Sequence, residues 1–200
     1  MKYMQAAFFV AVFFFCRAAC ALGAGAFGLE LGSDIGRYGH GEQPVSERWE
    51  IRMYEVTPPA PDARFDTYAV DTFKGRIIRI MASSSDDLSA EGTATLEVLH
   101  SLKEELVAKY GEPSLNVEDV EDAGSDLRGY LADEGGMEVL EWIFPVSGAA
   151  DGPGAVYVFL AGSETEGGKQ ASYCTLYMES RDYPAISDQA EQKEQGAIQP

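Results

Sequence analysis

The chain has 200 residues, with 15 basic and 33 acidic side chains and a formal net charge of −18. So negative a balance repels phosphate backbones and anionic headgroups, which argues against nucleic acid and acidic lipid and reads either as plain colloidal stability or as a surface that attracts a cationic protein, peptide or metal ion. Hydrophobic residues make up 46% of the sequence, enough at this length for one buried core.

The first 21 residues read as a secretory signal. Lys2 precedes an apolar run from Ala6 to Cys16, Arg17 interrupts it, and Ala19-Cys20-Ala21 supplies the small-x-small pattern of a cleavage site. The run is shorter than the roughly 20 apolar residues that cross a bilayer, so no stable membrane insertion is expected after cleavage. The mature chain then starts at Leu22, with cleavage after Ala26 as the alternative, and is periplasmic or secreted. Neither Cys16, with Phe13 three residues before it, nor Cys20, with Arg17 there, has the Leu-like residue that lipid attachment needs. Loss of Lys2 and Arg17 takes the net charge to −20 and leaves Cys174 as the one cysteine. An exported chain of this kind has no internal disulfide and depends on its hydrophobic core.

A glycine-rich lead-in, 22–41, is expected to add a short strand at Phe27 to Leu31. Period-two alternation appears next in Arg48 to Tyr54, where Trp49, Ile51 and Met53 share a face. Pro58, Pro59 and Pro61 end that strand, because proline brings no amide hydrogen to a ladder. Phe65 to Phe73 and Arg76 to Ala82 are two more strands, and the two-residue connection Lys74-Gly75 makes them an antiparallel hairpin.

Between Thr93 and Tyr110 the period changes. Leu96, Leu99, Leu102, Leu106 and Tyr110 fall on one stripe of a helix, with Thr93 or Thr95 as cap, Glu105 and Lys109 spaced for a supporting pair, and Gly111 and Pro113 as the stop. His100 lies just off the stripe and reads as a solvated side chain. An acidic loop, 114–136, follows. A calcium loop begun at Asp119 fails at Ala123 and Tyr130, where carboxylates are required, so no metal site is expected. Met137 to Pro145, Ala155 to Gly162 and Ala171 to Ser180 then read as a three-stranded meander with Cys174 in the core, and 181–200 as a disordered tail.

The order is three strands, one helix, three strands. It predicts an α+β fold whose antiparallel sheet of about six strands packs on one long helix, with 22–180 as a single domain. A helix of this length is roughly 27 Å long and about 10 Å across, whereas six strands at about 4.8 Å spacing make a sheet near 29 Å wide. One helix cannot cover it. Yet Ala155 to Ala161 is apolar on both faces, which predicts that something else lies on the second face: the lead-in, the acidic loop, the sheet's own curl, a second copy or a ligand.

The stretches "AFGLELGSDIG", "FDTYAVDTFKGRIIRIMA" and "LVAKYGEP" together resemble small exported bacterial α+β proteins of uncharacterised families. More distantly the chain is similar to small outer-membrane assembly lipoproteins and to secreted enzyme inhibitors, although the former begin with two helices where this chain shows one. The resemblance implies protein binding without catalysis and transfers no functional residue.

Catalysis is not expected from the residues either. His40, His100 and Cys174 sit in unrelated elements, and no nucleophile elbow, phosphate loop or metal-ligand spacing is present, so no catalytic, cofactor-binding or metal residue is assigned. Glu138 and Glu141 flank Trp142 at a spacing that puts them on opposite strand faces. Three readings follow. The first is an exported binding module for a basic protein, with Tyr157, Tyr173 and Tyr177 as contacts and Asp119, Glu121 and Asp122 as the charged approach. The second is an envelope-assembly homodimer joined through the same face, and the third a carboxylate-based hydrolase.

Overall fold

In the computed structural model the described residues are 25–40, 43–117, 120, 126–144, 152–165 and 167–197. The expected signal segment and Asp119, Glu121 and Asp122 lie outside them. Turn chemistry starts the fold: Phe27 and Gly28, both at positive φ, join β1 (Gly25–Ala26) to β2 (Leu29–Glu30), so the lead-in is a small hairpin rather than one strand. β3 (Gly39–His40) and β4 (Ser46–Arg48) precede β5 (Ile51–Thr57) and both pair with it. The expected strand 48–54 is therefore split by a two-residue turn, with Trp49 at φ 53° and its ring against Phe73 at 5.7 Å.

The hairpin β6 (Thr67–Phe73) and β7 (Arg76–Ser83) turns through Lys74 and Gly75, both at positive φ, as the sequence predicts. Helix α1 spans the expected residues (Thr93–Tyr110), but its cap differs. Gly92 occupies the N-cap at φ 64°, where a side chain would also meet Leu127, and Asp87 reaches across to accept hydrogen bonds from the amides of Ala94 and Thr95 at 2.7 and 3.3 Å. A carboxylate held by a tight turn serves these first-turn donors better than Thr93 or Thr95 could.

The acidic loop contains two elements that its charge concealed. β8 (Leu115–Asn116) pairs with Glu141 and Leu140 of β9 (Met137–Ile143), and α2 (Leu127–Glu134) is capped by Asp126, which accepts from the Gly129 amide. Leu127 and Leu131 drive that helix into the core. The chain continues through β10 (Ala155–Glu164) and β11 (Gln170–Glu179) into α3 (Tyr183–Ala197).

The strand order is β3-β5-β6-β7-β11-β10-β9-β8, all antiparallel, with β4 also on β5. The fold is α+β, and the sheet exceeds the expected six strands because short segments pair along both edges and shield them. Inner-face residues Val70, Ile80, Val156, Val158, Leu160, Cys174, Leu176 and Met178 pack under Leu99, Leu102 and Leu106 of α1 and under α2. Cys174 is fully buried, and burial pushes its thiol up to about 12.

The expected disordered tail is instead α3. Tyr183, Ile186 and Ala190 form a narrow stripe that closes on Ile51, Ile78, Trp49 and Phe73 of the outer sheet face, and Arg48 holds Glu191 and Glu194 at 3.3 and 2.9 Å. A polar composition can still supply three apolar contacts at helical spacing. Ala190 is fully buried. Ala190→Asp is expected to cost at least about 2 kcal/mol, the desolvation of an unpaired carboxylate, measured as a lowered urea midpoint with unchanged slope.

Candidate functional site

Beside α3, the outer face carries a buried charge cluster that a register shift assembles. Counting back from the Lys74-Gly75 turn would set Asp71 opposite Ile78, but Ile78 is an extra residue on β7 and Asp71 faces Arg79. The guanidinium lies 2.6 Å from Asp71 Oδ2 and 3.7 Å from Glu179 Oε1, and Tyr157 donates to the same Glu179 oxygen at 2.8 Å. Arg79 also sits 5.4 Å from the Tyr177 ring centre and 4.6 Å from that of Tyr183, the first residue of α3. Tyr177 in turn stacks on Tyr157 at 4.7 Å with an interplanar angle of 13°.

Two carboxylates share one cation here, and desolvation shows in their titration. Burial raises Asp71 despite Arg79, and raises Glu179 despite Arg79 and the Tyr157 hydroxyl. Arg79 stays protonated, since the attraction of Asp71 and its neighbours overcomes its own burial. Burial likewise pushes the Tyr183 phenol up to about 12.

The remainder of this face opens toward β9. A second extra residue, Val139, places Glu138 opposite Phe159 while Glu141 stays opposite Tyr157. The two carboxylates thus share a face, which corrects the expectation that they point apart. Opposed residues of an antiparallel pair lie about 5 Å apart at Cβ, so each carboxylate flanks an aromatic ring. Burial raises the Glu138 carboxyl, with Glu141 and Glu179 adding like-charge repulsion. Glu138, Glu141, Tyr157, Phe159, Tyr173 and Tyr177 are all partly exposed, and Ile143 at the end of β9 is 62% exposed.

Of the predicted contacts, Tyr157 and Tyr177 are brought together, while Tyr173 lies further along β11 and lines a separate shallow cleft of about 420 Å³ with Asp66, Ser83, Ser85 and Asp86. Burial and the nearby Asp86 raise its phenol. A groove of about 870 Å³ lies on the inner side between the β1–β2 hairpin and α1, floored by Leu176 and Met178. His100 borders a smaller apolar groove under α1. Sequence reasoning missed Arg79, Asp71 and Glu179 and set Glu138 on the wrong face. Their spacing on two hairpins is visible, but their meeting depends on two one-residue shifts.

Among the described residues no cluster of three or more potential metal ligands occurs, and no helix is long and apolar enough to cross a membrane. Comparison of the chain with family models, with curated proteins and with solved structures finds no match in any of the three.

Two outcomes test the electrostatics. Arg79→Gln leaves Asp71 and Glu179 buried without their cation and is expected to lower stability by about 3 kcal/mol in urea titrations at pH 7. Asp71, Glu179 and Glu138 bind protons more tightly in the folded chain than in the unfolded one, so their contribution is favourable at low pH and is lost as pH rises through their raised values. Asp62 and Asp87, both lowered, have the opposite sign and lose their contribution as pH falls below the ordinary 3.8. Glu138→Gln is therefore expected to be more stable than the wild type at pH 7, with the difference closing as pH falls through the raised Glu138 value toward the ordinary 4.5.

Proposed function

We propose that the mature chain is an exported, non-catalytic binding module that engages a basic protein through the open part of its outer sheet face. The observation that carries this reading is the pairing of Glu138 and Glu141 on one face with partly exposed Tyr157 and Phe159 between them and the rest of the sheet. Aromatic rings bordered by carboxylates suit an apolar contact flanked by positive charge. The overall charge favours the same choice, because a cationic partner is drawn toward a mature chain of net charge −20, whereas a second copy presents the same negative rim to this one.

Capture from native envelope extract tests the proposal. The wild type is expected to retain basic proteins at low ionic strength and release them as salt rises, and a Glu138→Gln/Glu141→Gln variant is expected to retain far less. Equal retention by wild type and variant would remove this face from the account. A dimer that persists on dilution and tightens with added salt would replace the basic partner with a second copy.

A further inference from the structure

The geometry points to an arginine side chain as the partner's anchor, its guanidinium between Glu138 and Glu141 and against the rings of Tyr157 and Phe159. This rests on the reading of the outer face as a docking surface for a basic protein. The protein's own Arg79 shows how the face holds a guanidinium: oxygens of Asp71 and Glu179 lie 2.6 and 3.7 Å from its nitrogens, and its central carbon lies over the rings of Tyr177 and Tyr183 at 5.4 and 4.6 Å.

Toward β9 the same set of groups recurs. Glu141 stands opposite Tyr157 and Glu138 opposite Phe159, and the Tyr157 ring is the outer member of the stack that begins at Arg79. In the Arg79 cluster the cation comes from β7, a neighbouring strand in the sheet. In the second cluster the strand beyond β9 is β8, whose residues opposite Glu141 and Leu140 are Leu115 and Asn116 and bring no positive charge. The repulsion that Glu138 feels from Glu141 and Glu179 is what an arriving cation would relieve. Arginine fits better than lysine, because a planar guanidinium can stack on a ring and donate to two carboxylates at once, whereas an ammonium acts as a hydrated point charge.

The experiment uses the mature chain and three short probes: hexa-arginine, hexa-lysine and a hexapeptide of citrulline, which keeps the planar shape without the charge. Binding is followed by calorimetry, and backbone NMR shifts locate the contact. Hexa-arginine is expected to bind more tightly than hexa-lysine, citrulline not to bind, and the largest shifts to fall in β9 and β10. Glu138→Gln/Glu141→Gln should weaken hexa-arginine about tenfold, a loss typical of an interfacial anchor. Glu97→Gln/Glu104→Gln removes the same charge from exposed positions on α1, across the sheet, and should change affinity less than about twofold.

Equal weakening by the two variants, equal affinity for arginine and lysine, or shifts confined to other strands would each overturn the assignment. Should hexa-arginine fail to bind while capture of basic proteins still depends on Glu138 and Glu141, the anchor is wrong and the docking face stands. Loss of both results removes the face as well.

Discussion

A guanidinium enclosed by two carboxylates and two aromatic rings organises the outer side of this molecule. Taking Arg79 out of water is costly, and the cost is met only because Asp71, Glu179, Tyr177 and Tyr183 converge on it from three separate elements. That convergence joins the two halves of the sheet, since Asp71 and Arg79 belong to the first hairpin and Glu179 and Tyr177 to the last strand. It also fixes where the C-terminal helix begins, because Tyr183 closes the cluster from above. A charged centre of this kind is poor as a source of net stability but demanding about geometry.

The two sheet faces have consequently different characters. The inner face is filled with aliphatic side chains beneath α1 and α2, among which Thr95 and Ser172 pair their hydroxyls at 3.0 Å. The outer face is divided. At one end α3 seals Ile51 and Ile78, in the middle lies Arg79, and toward β9 the aromatic rings keep partial contact with water. The dimensional mismatch between one helix and a broad sheet is thus met on the inner side by a second helix and on the outer side only in part.

Much of the framework was legible from local signals. The stripe Leu99, Leu102, Leu106 and the stop at Gly111 define α1 to the residue, and Lys74-Gly75 defines the central hairpin, because both depend on neighbours in the chain. What escaped depends on distant parts. The turn at Trp49 interrupts a flawless alternation, since packing on Phe73 tolerates a left-handed backbone that local preference opposes. The C-terminal helix is polar on most sides and packs through three residues on a surface that distant strands supply. The candidate site was the least legible part: Ile78 and Val139 each insert one residue into a ladder, and each insertion turns a carboxylate toward neighbours that strict alternation would have denied it.

The complete enclosure of Cys174 bears on the molecule's history as well as its stability. A sulfur with no solvent contact, kept protonated by its apolar surroundings, is inert toward oxidants and disulfide exchange for as long as the core is closed. Its chemistry is therefore confined to nascent or unfolded chains, and any copy found carrying a modified thiol records an interval when the central strand lay open.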